Sequence, residues 1–212
     1  MIAQKLYEGI DLGSERVGLI TYMRTDSIRL ADDFIASAKT YIEDNYGKNY
    51  YKGFKNKNKK GAHVQDAHES IRPTSIDRTP EKMKKYLSND EYKVYSLIYN
   101  RTIASLMSDA VVEDTKVNIE ANSCLFNVDG ERVLFDGFLK IYEEGSLDET
   151  EELDRLPELV VGEKLPLEEL LYEQKFTNPP HRYTEARLIR KMEELGIGRP
   201  STYALTMETL RA

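Results

Sequence analysis

The spacing of apolar residues changes twice along the chain and divides it into three segments. Up to residue 108, apolar side chains recur every three or four positions, which is the period of a helix with one buried face. This period predicts a helix over about 32–45 and a longer one after Ser88, which forms a capping-box pattern with Glu91. We therefore expect residues 1–108 to form a helical domain.

Two shorter helices and one loop are predicted in the same segment. At the start of the chain, Ile2, Leu6 and Ile10 lie four positions apart, which predicts the tail of a helix whose end is marked by Gly9 and Gly13. A second short helix is predicted to begin at Thr79-Pro80, because proline suits the first helical position. The lysine-rich residues 47–62 have no regular period and predict an exposed loop.

In the second segment, from about Val111, apolar and polar residues alternate. This period of two predicts a strand over 117–121 with one buried face. Residues 124–135 predict a hairpin, because Asp129-Gly130 suits the positive φ angles of a tight type I′ turn.

Three further stretches complete the second segment. Residues 137–143 predict a third strand, and residues 160–176 predict one or two more. Residues 143–154 between them form an acidic linker of low complexity. We therefore expect residues 109–176 to form an antiparallel β domain.

The third segment, residues 177–212, predicts a pair of helices. The first runs from Thr184 to Leu195 and is stopped by Gly196, and the second starts with Pro200. Together the three segments predict an α+β protein that is mainly helical.

The formal net charge of −7 is unevenly distributed. Residues 109–175 carry 6 basic and 19 acidic residues, whereas residues 1–108 carry 18 and 14. The acidic total therefore does not exclude a polyanion as partner, because the local field decides such binding. No apolar stretch reaches the roughly 18 residues of a membrane span, and the single cysteine, Cys124, cannot form an internal disulfide. Since no secretory signal is visible at the start, we expect a cytoplasmic protein without membrane contact.

Residues 18–27, GLITYMRTDS, offer a nucleophile. A tyrosine hydroxyl can attack phosphorus, but an ordinary tyrosine has a pKa of about 10 and is protonated near neutrality. A neighbouring guanidinium would favour the phenolate and neutralise a phosphoryl oxygen. Tyr22 and Arg24 are two positions apart, so both would lie on one face of an extended stretch. The competing interpretation is that Tyr22 simply packs, since the chain has 14 tyrosines.

A second candidate stretch is AHESIRPT, residues 67–74. His68 and Arg72 are four positions apart, which on a helix would place a proton carrier and a fixed cation on one face. The competing interpretation is the end of a surface helix before Pro73.

A third candidate stretch, RYTEARLIRKMEELGIGRPSTYA at residues 182–204, contains the corner before the last predicted helix. Arg199 and the free N–H groups of a helix opened by Pro200 predict an anion site, to which Ser201 and Thr202 add hydroxyls. The alternative is a plain corner between two helices. The chain contains no GxxxxGKS or GxxxxGKT phosphate loop, no GxGxxG and no HExxH, and the acidic linker does not resemble a preformed magnesium cage. We therefore predict no metal site within it.

Taken together and in this order, the three motifs resemble those of the type IA DNA topoisomerases, the bacterial topoisomerase I group. The resemblance covers essentially the whole chain and is weakest in the β domain. It implies cleavage and religation of single-stranded, negatively supercoiled DNA, in which a tyrosine becomes linked to a 5′ phosphate while another strand passes through the gap. The reaction would need no ATP, because the phosphotyrosine retains the bond energy.

The resemblance implies roles for particular residues. By motif position, Tyr22 is the nucleophile, Arg24 contacts the scissile phosphate and His68 belongs to the hydrogen-bond network of the active site. The implied DNA-contacting residues are Arg24, Arg72, Arg199, Ser201 and Thr202. Arg72 is the weakest of these and could instead orient its motif.

The resemblance also implies a larger enzyme. Residues 1–108 would be the domain that carries the tyrosine, 109–176 a segment of the arch and 177–212 part of the helical base. The family's Toprim domain, with its acidic ligands for Mg²⁺, is not present in these 212 residues. We therefore expect Mg²⁺ to be bound elsewhere in the full-length enzyme and this chain to be inactive alone. We expect the full-length enzyme to be a nucleoid-associated monomer.

Three alternatives remain open from the sequence. The helices around 184–211 could form a non-catalytic helix-turn-helix module, which would prefer duplex DNA of a particular sequence. A tyrosine recombinase fits less well, because its His-x-x-Arg signature and late tyrosine differ from the spacing of His68 and Arg72 and from an early Tyr22. The last alternative is a scaffold segment with no site.

Overall fold

The structure is a computed structural model that describes residues 2–25, 27–54, 68–142 and 156–211. Contacts between residues divide the chain into two units, Met1–Leu156 and Pro157–Ala212. Helices predominate and two antiparallel strand pairs accompany them. This confirms the prediction of a mainly helical α+β protein.

The described part of the first unit contains four α-helices: α1 (Ile2–Glu8), α2 (Asp32–Asn45), α3 (Pro80–Met83) and α4 (Asn89–Leu106). Helices α1, α2 and α4 confirm predictions from the spacing of apolar residues, and α3 confirms the short helix predicted from Thr79-Pro80. At the start of α4, the Ser88 hydroxyl accepts the Glu91 N–H and the Glu91 carboxylate accepts the Ser88 N–H. This reciprocal cap satisfies two N–H groups that would otherwise lack partners in the first turn.

The core of the first unit contains the faces of α2 and α4 that were predicted to be buried. Their buried apolar residues recur every three or four positions: Phe34, Ala38 and Ile42 on α2, and Tyr95, Tyr99, Ile103 and Leu106 on α4. Leu19 and Ile20, which lie in the first motif, are 0% and 1% exposed and belong to the same core. The backbone immediately before Tyr22 is therefore anchored by burial.

Two antiparallel pairs of strands are present among the described residues: β1 (Ile10–Asp11) with β2 (Arg16–Val17), and β3 (Val111–Ala121) with β4 (Cys124–Phe135). The predicted turn at Asp129-Gly130 is wrong, because both residues lie inside β4, where Gly130 pairs with Thr115. The turn is at Asn122-Ser123, and Asn122 has a φ of 55°, which asparagine tolerates. This turn lets β3 pair along its whole length, whereas a turn at 129–130 would leave β3 without its partner.

The third strand predicted over 137–143 is also wrong in its described part. Gly137–Lys140 is a turn of 3₁₀-helix, and the Phe138 N–H donates to the Ser108 carbonyl at 2.9 Å. Gly137 has a φ of 49°, and a Cβ there would lie 2.5 Å from that carbonyl oxygen. The chain therefore turns back against the end of α4 instead of extending beside β4.

The strands predicted over 160–176 are wrong as well, because the described residues from 156 to 184 include none. The apolar side chains that suggested buried strand faces are exposed, for example Leu171 and Phe176 at 80% each. Pro166 lies in the middle of this stretch and cannot donate a hydrogen bond to a neighbouring strand.

Two predicted loops lie wholly or partly outside the described residues. The acidic linker, 143–154, is wholly outside. In the lysine-rich loop, Lys48–Tyr50 forms one turn of 3₁₀-helix, whereas residues 55–62 lie outside.

Between residues 157 and 211, the second unit contains two helices, α5 (Glu185–Glu194) and α6 (Tyr203–Arg211). As predicted, α5 begins next to Thr184 and is stopped at Gly196, whose φ is 70°; the structure adds that the Thr184 side chain caps the helix. The predicted start of the next helix at Pro200 is three residues too early. A turn precedes α6, in which the Thr202 N–H donates to the Arg199 carbonyl at 2.8 Å. None of the helices in the described ranges is long and apolar enough to cross a membrane.

Candidate active site

The first and second motifs lie side by side although they are far apart in the sequence. The Thr21 N–H donates to the Arg72 carbonyl at 2.9 Å. The Thr74 N–H donates to the Leu19 carbonyl at 3.0 Å. Between these two hydrogen bonds, Ile20 and Pro73 form an antiparallel bridge. This short pairing brings two of the three motifs to one place.

The Thr21 side chain strengthens the pairing. Its hydroxyl donates to the Ser70 carbonyl at 2.7 Å and accepts the Arg72 N–H at 2.9 Å. The hydroxyl thus uses both its donor and an acceptor position, and the β-branched side chain has restricted rotamers. Thr21 therefore holds the backbone directly before Tyr22 against the second motif.

Tyr22 contacts two other aromatic rings. Its ring centroid is 5.1 Å from that of His68, with the planes 33° apart, and 5.4 Å from that of Tyr7, with the planes 68° apart. The Tyr22 side chain is half-buried, so its ring is not sealed inside the core. The structure therefore brings the predicted nucleophile and the predicted active-site histidine into contact.

Arg24 is exposed and lies on a bend formed with Met23. The extended stretch from which a shared face of Tyr22 and Arg24 was predicted therefore ends before Arg24. An exposed guanidinium on this bend can meet an anion from solvent without first leaving a buried ion pair.

The second motif is not the helix that the spacing of His68 and Arg72 suggested, because residues 68–74 contain no helical turn. Pro73 disfavours helical geometry for the residue before it. In addition, the backbone groups of Ser70 and Arg72 bond to Thr21 and are not available for a helix. The pairing with the first motif thus replaces the expected helix.

Arg72 is held by contacts within its own unit. Its Nε donates to the Glu69 carboxylate at 2.7 Å, and its Nη1 donates to the Pro73 carbonyl at 2.9 Å. The guanidinium also lies 4.5 Å from the ring centroid of Phe34 on α2. With 11% of its side chain exposed, Arg72 is arranged to orient the second motif.

The third motif forms the corner before α6 in the second unit. Arg199 is exposed, its N–H donates to the Thr202 hydroxyl at 2.9 Å, and its Nη1 donates to the Gly198 carbonyl at 2.8 Å. Gly198 has a φ of 79°, which glycine adopts at low cost. The Thr202 hydroxyl is therefore engaged in the corner, whereas the Ser201 side chain is exposed.

Within the described ranges, no group of three or more His, Cys, Asp or Glu side chains is placed to hold a metal ion. These residues do not fit a magnesium site, so we assign no magnesium ligand and no metal-dependent step to them.

Three residues that shape the site were not predicted: Tyr7, Thr21 and Glu69. Glu69 carried a local signal, because an acid three positions before Arg72 is a common ion-pair spacing. Thr21 is adjacent to the predicted nucleophile, but its partners belong to the second motif. Tyr7 carried no signal, since its contact with Tyr22 exists only once α1 is folded against the first motif.

The whole chain matches a known class of proteins that act on DNA topology. A family model described as DNA topoisomerase covers residues 1–212, so the chain belongs to the DNA topoisomerase family, as its three motifs indicated. It is 48% identical over 216 residues to DNA topoisomerase 1 of Xylella fastidiosa, covering 99% of this chain and 26% of that protein.

A solved structure shows the same fold. The full-length topoisomerase I from Thermotoga maritima matches with a TM-score of 0.73 and 34% identity, covering 99% of this chain and 33% of that chain. The chain therefore spans about a quarter to a third of the length of these relatives.

Proposed function

We propose that this chain supplies the nucleophile and part of the DNA-binding surface of a type IA DNA topoisomerase. The hydroxyl oxygen of Tyr22 attacks phosphorus in one DNA strand and forms a bond to the 5′ phosphate. The bond between phosphorus and the 3′ oxygen breaks, the phenol loses its proton, and the 3′ oxygen gains one. After another strand has passed through the gap, the 3′ hydroxyl attacks phosphorus and releases Tyr22.

The contact between Tyr22 and His68, with ring centroids 5.1 Å apart, carries this proposal. Imidazole is the side chain best suited to hold or move a proton near neutral pH. His68 therefore hydrogen-bonds close to the reacting phosphate, and Arg24 neutralises charge on its oxygens. His68 contacts the half-buried Tyr22 ring, and the exposed Arg24 follows Tyr22 by two positions in the chain.

Residues of the third motif support backbone binding. Arg199 and Ser201 are exposed at the corner before α6 and contact DNA phosphates without reading the bases. Thr202 and Arg72 act mainly by holding their own motifs, because their polar groups are engaged internally. The partner of the enzyme is single-stranded, negatively supercoiled DNA in the cytoplasm at the nucleoid. The enzyme acts as a monomer and needs no ATP. Its Mg²⁺ is held by residues outside this chain.

The chemical step is tested by trapping the covalent adduct. Full-length protein containing this chain is incubated with Mg²⁺ and a single-stranded oligonucleotide labelled at either end, then denatured. We expect the 3′-labelled part to remain attached to the protein and the 5′-labelled part to be released. Tyr22→Phe should abolish attachment, and Tyr172→Phe, a change at a residue 95% exposed, should not. An adduct that persists in Tyr22→Phe would contradict the proposal.

Two further measurements separate this function from a helix-turn-helix module. We propose that the 212-residue chain alone does not relax supercoiled plasmid, and that its weak DNA binding favours single strands over duplex. Fluorescence anisotropy with matched oligonucleotides measures that preference. Tighter binding to a particular duplex sequence would support the helix-turn-helix alternative.

A further inference from the structure

Tyr22 has an aromatic neighbour on α1 to which the proposed function gives no role. The rings of Tyr7 and Tyr22 meet edge to face, with centroids 5.4 Å apart and planes at 68°. This is a favourable geometry for an aromatic pair. Because the Tyr7 residue is 41% exposed, its ring is not needed to fill the core, and the contact itself calls for an explanation.

The backbone of α1 is fixed next to the first motif. Leu6 is completely buried, and its carbonyl accepts the Leu19 N–H at 2.7 Å. The Tyr7 carbonyl lies so near Gly18 that a Cβ on Gly18 would be 2.5 Å from its oxygen. The hydrogen bond keeps the end of α1 from separating from the start of the first motif, and the close approach at Gly18 keeps the two from moving closer.

A second anchor joins α1 to the longest helix. Lys5 forms an ion pair with Glu91 on α4, and Glu91 is 6% exposed. The carboxylate also accepts the Ser88 N–H at 2.8 Å. Both contacts fix α1, so the Tyr7 ring lies on a rigid helix. It contacts the phenol of Tyr22, which directly follows the segment paired with the second motif.

We infer that Tyr7 is a positioning residue, whose ring restricts the orientation of the Tyr22 phenol for attack on phosphorus. This inference rests on the proposed function. A half-buried tyrosine can change its χ1 and χ2 angles, and reaction requires the oxygen to be aligned with the bond that breaks. The ring of Tyr7 limits these rotations, while the Tyr7 hydroxyl takes no part.

The ring and the hydroxyl of Tyr7 can be separated by substitution. Tyr7→Leu removes the aromatic ring and should lower the rate of a single cleavage turnover at saturating DNA by about 2- to 10-fold. Tyr7→Phe keeps the ring and should stay within about 2-fold of the unmodified protein. The oligonucleotide Kd and the melting temperature should change little, because Tyr7 is 41% exposed and is not one of the buried core residues.

The experiment measures adduct formation over time in the full-length protein with Mg²⁺ and an end-labelled oligonucleotide. Tyr172→Leu, which changes an exposed tyrosine, is the matched control, and Tyr7→Met replaces Tyr7→Leu if the latter does not fold. An unchanged rate in Tyr7→Leu would overturn the inference, as would a loss in Tyr7→Phe equal to that in Tyr7→Leu. A parallel loss of DNA affinity and melting temperature would overturn it too, since it would indicate a general structural role. Failure of the proposed function is recognised separately, by an adduct that persists in Tyr22→Phe.

Discussion

The ion pair between Glu91 on α4 and Lys5 on α1 should make the stability of the helical unit depend on pH. Hydrogen bonding by Lys5, followed by the Ser88 N–H, lowers the pKa of Glu91 from 4.5 to about 2, against the opposing effect of burial. Glu91 is 6% exposed, whereas the Lys5 side chain is 62% exposed. The perturbation that tests this contact is Glu91→Gln, which removes the charge and preserves the shape.

The magnitude follows from the change in pKa. A shift from 4.5 to about 2 corresponds to at most about 3 kcal/mol of unfolding free energy. Solvent around the exposed Lys5 weakens the ion pair, and glutamine can still accept the Ser88 N–H. We therefore expect Glu91→Gln to lower the free energy of unfolding at pH 7 by about 1–2 kcal/mol.

The sign of the pH dependence is fixed because the pKa is lower in the folded state. The stabilisation by Glu91 is fully present above about pH 4.5 and is lost as the pH falls towards about 2. Urea unfolding of the 212-residue chain, followed by circular dichroism at several pH values, measures it. The two proteins should differ most at pH 7 and converge in acid.

A matched control uses an ion pair of the same charge type whose carboxylate is more exposed than that of Glu91. Glu43 pairs with Lys39 at 3.9 Å on the surface of α2, so Glu43→Gln should change the free energy of unfolding by no more than about 0.5 kcal/mol. An equal destabilisation by Glu91→Gln at pH 7 and in acid, or none at pH 7, would refute the reasoning.

Two further substitutions test the contacts that shape the site and the 3₁₀ turn that follows β4. Thr21→Val should lower the unfolding free energy by about 1–3 kcal/mol, because the Arg72 N–H loses an acceptor. Thermal melting measures this loss of stability. Equal stability of Thr21→Val and Thr21→Ser would contradict the explanation. Gly137→Ala should destabilise by more than about 1 kcal/mol, because its Cβ would meet a carbonyl oxygen at 2.5 Å. Gly53→Ala, with positive φ but open space, should lose less stability in the same urea titration, and an equal loss would exclude the steric explanation.

The helices could be predicted because their determinants are local. The capping pair of Ser88 and Glu91 and the period of apolar residues both act within a few positions, and α4 begins and continues as they predict. The hairpin shows the limit of such reasoning. Both Asn122-Ser123 and Asp129-Gly130 can form a tight turn, and the first is used because it gives β3 a partner along its length.

The candidate site divides in the same way. Tyr22 and His68 could be singled out from their motifs, whereas their contact depends on hydrogen bonds between Thr21 and the second motif. The positive charge of Arg72 follows directly from its motif. The ion pair and the backbone hydrogen bond that hold its guanidinium within the fold did not follow from the motif in the same way. Tyr7 could not be predicted at all, because helical periodicity says nothing about which distant ring a side chain will meet.

The amino-acid order alone determined where most helices begin and end, which side chains can serve as nucleophile, proton carrier and cation, and to which family they belong. Tertiary structure decided which of those groups meet. The reason is that a cap or a helical period is satisfied by neighbours in the chain, whereas a ring contact or a paired segment requires residues from distant positions. Burial of Leu19 and Ile20 holds one of these segments in place, and with it the phenol of Tyr22 beside His68 and Tyr7.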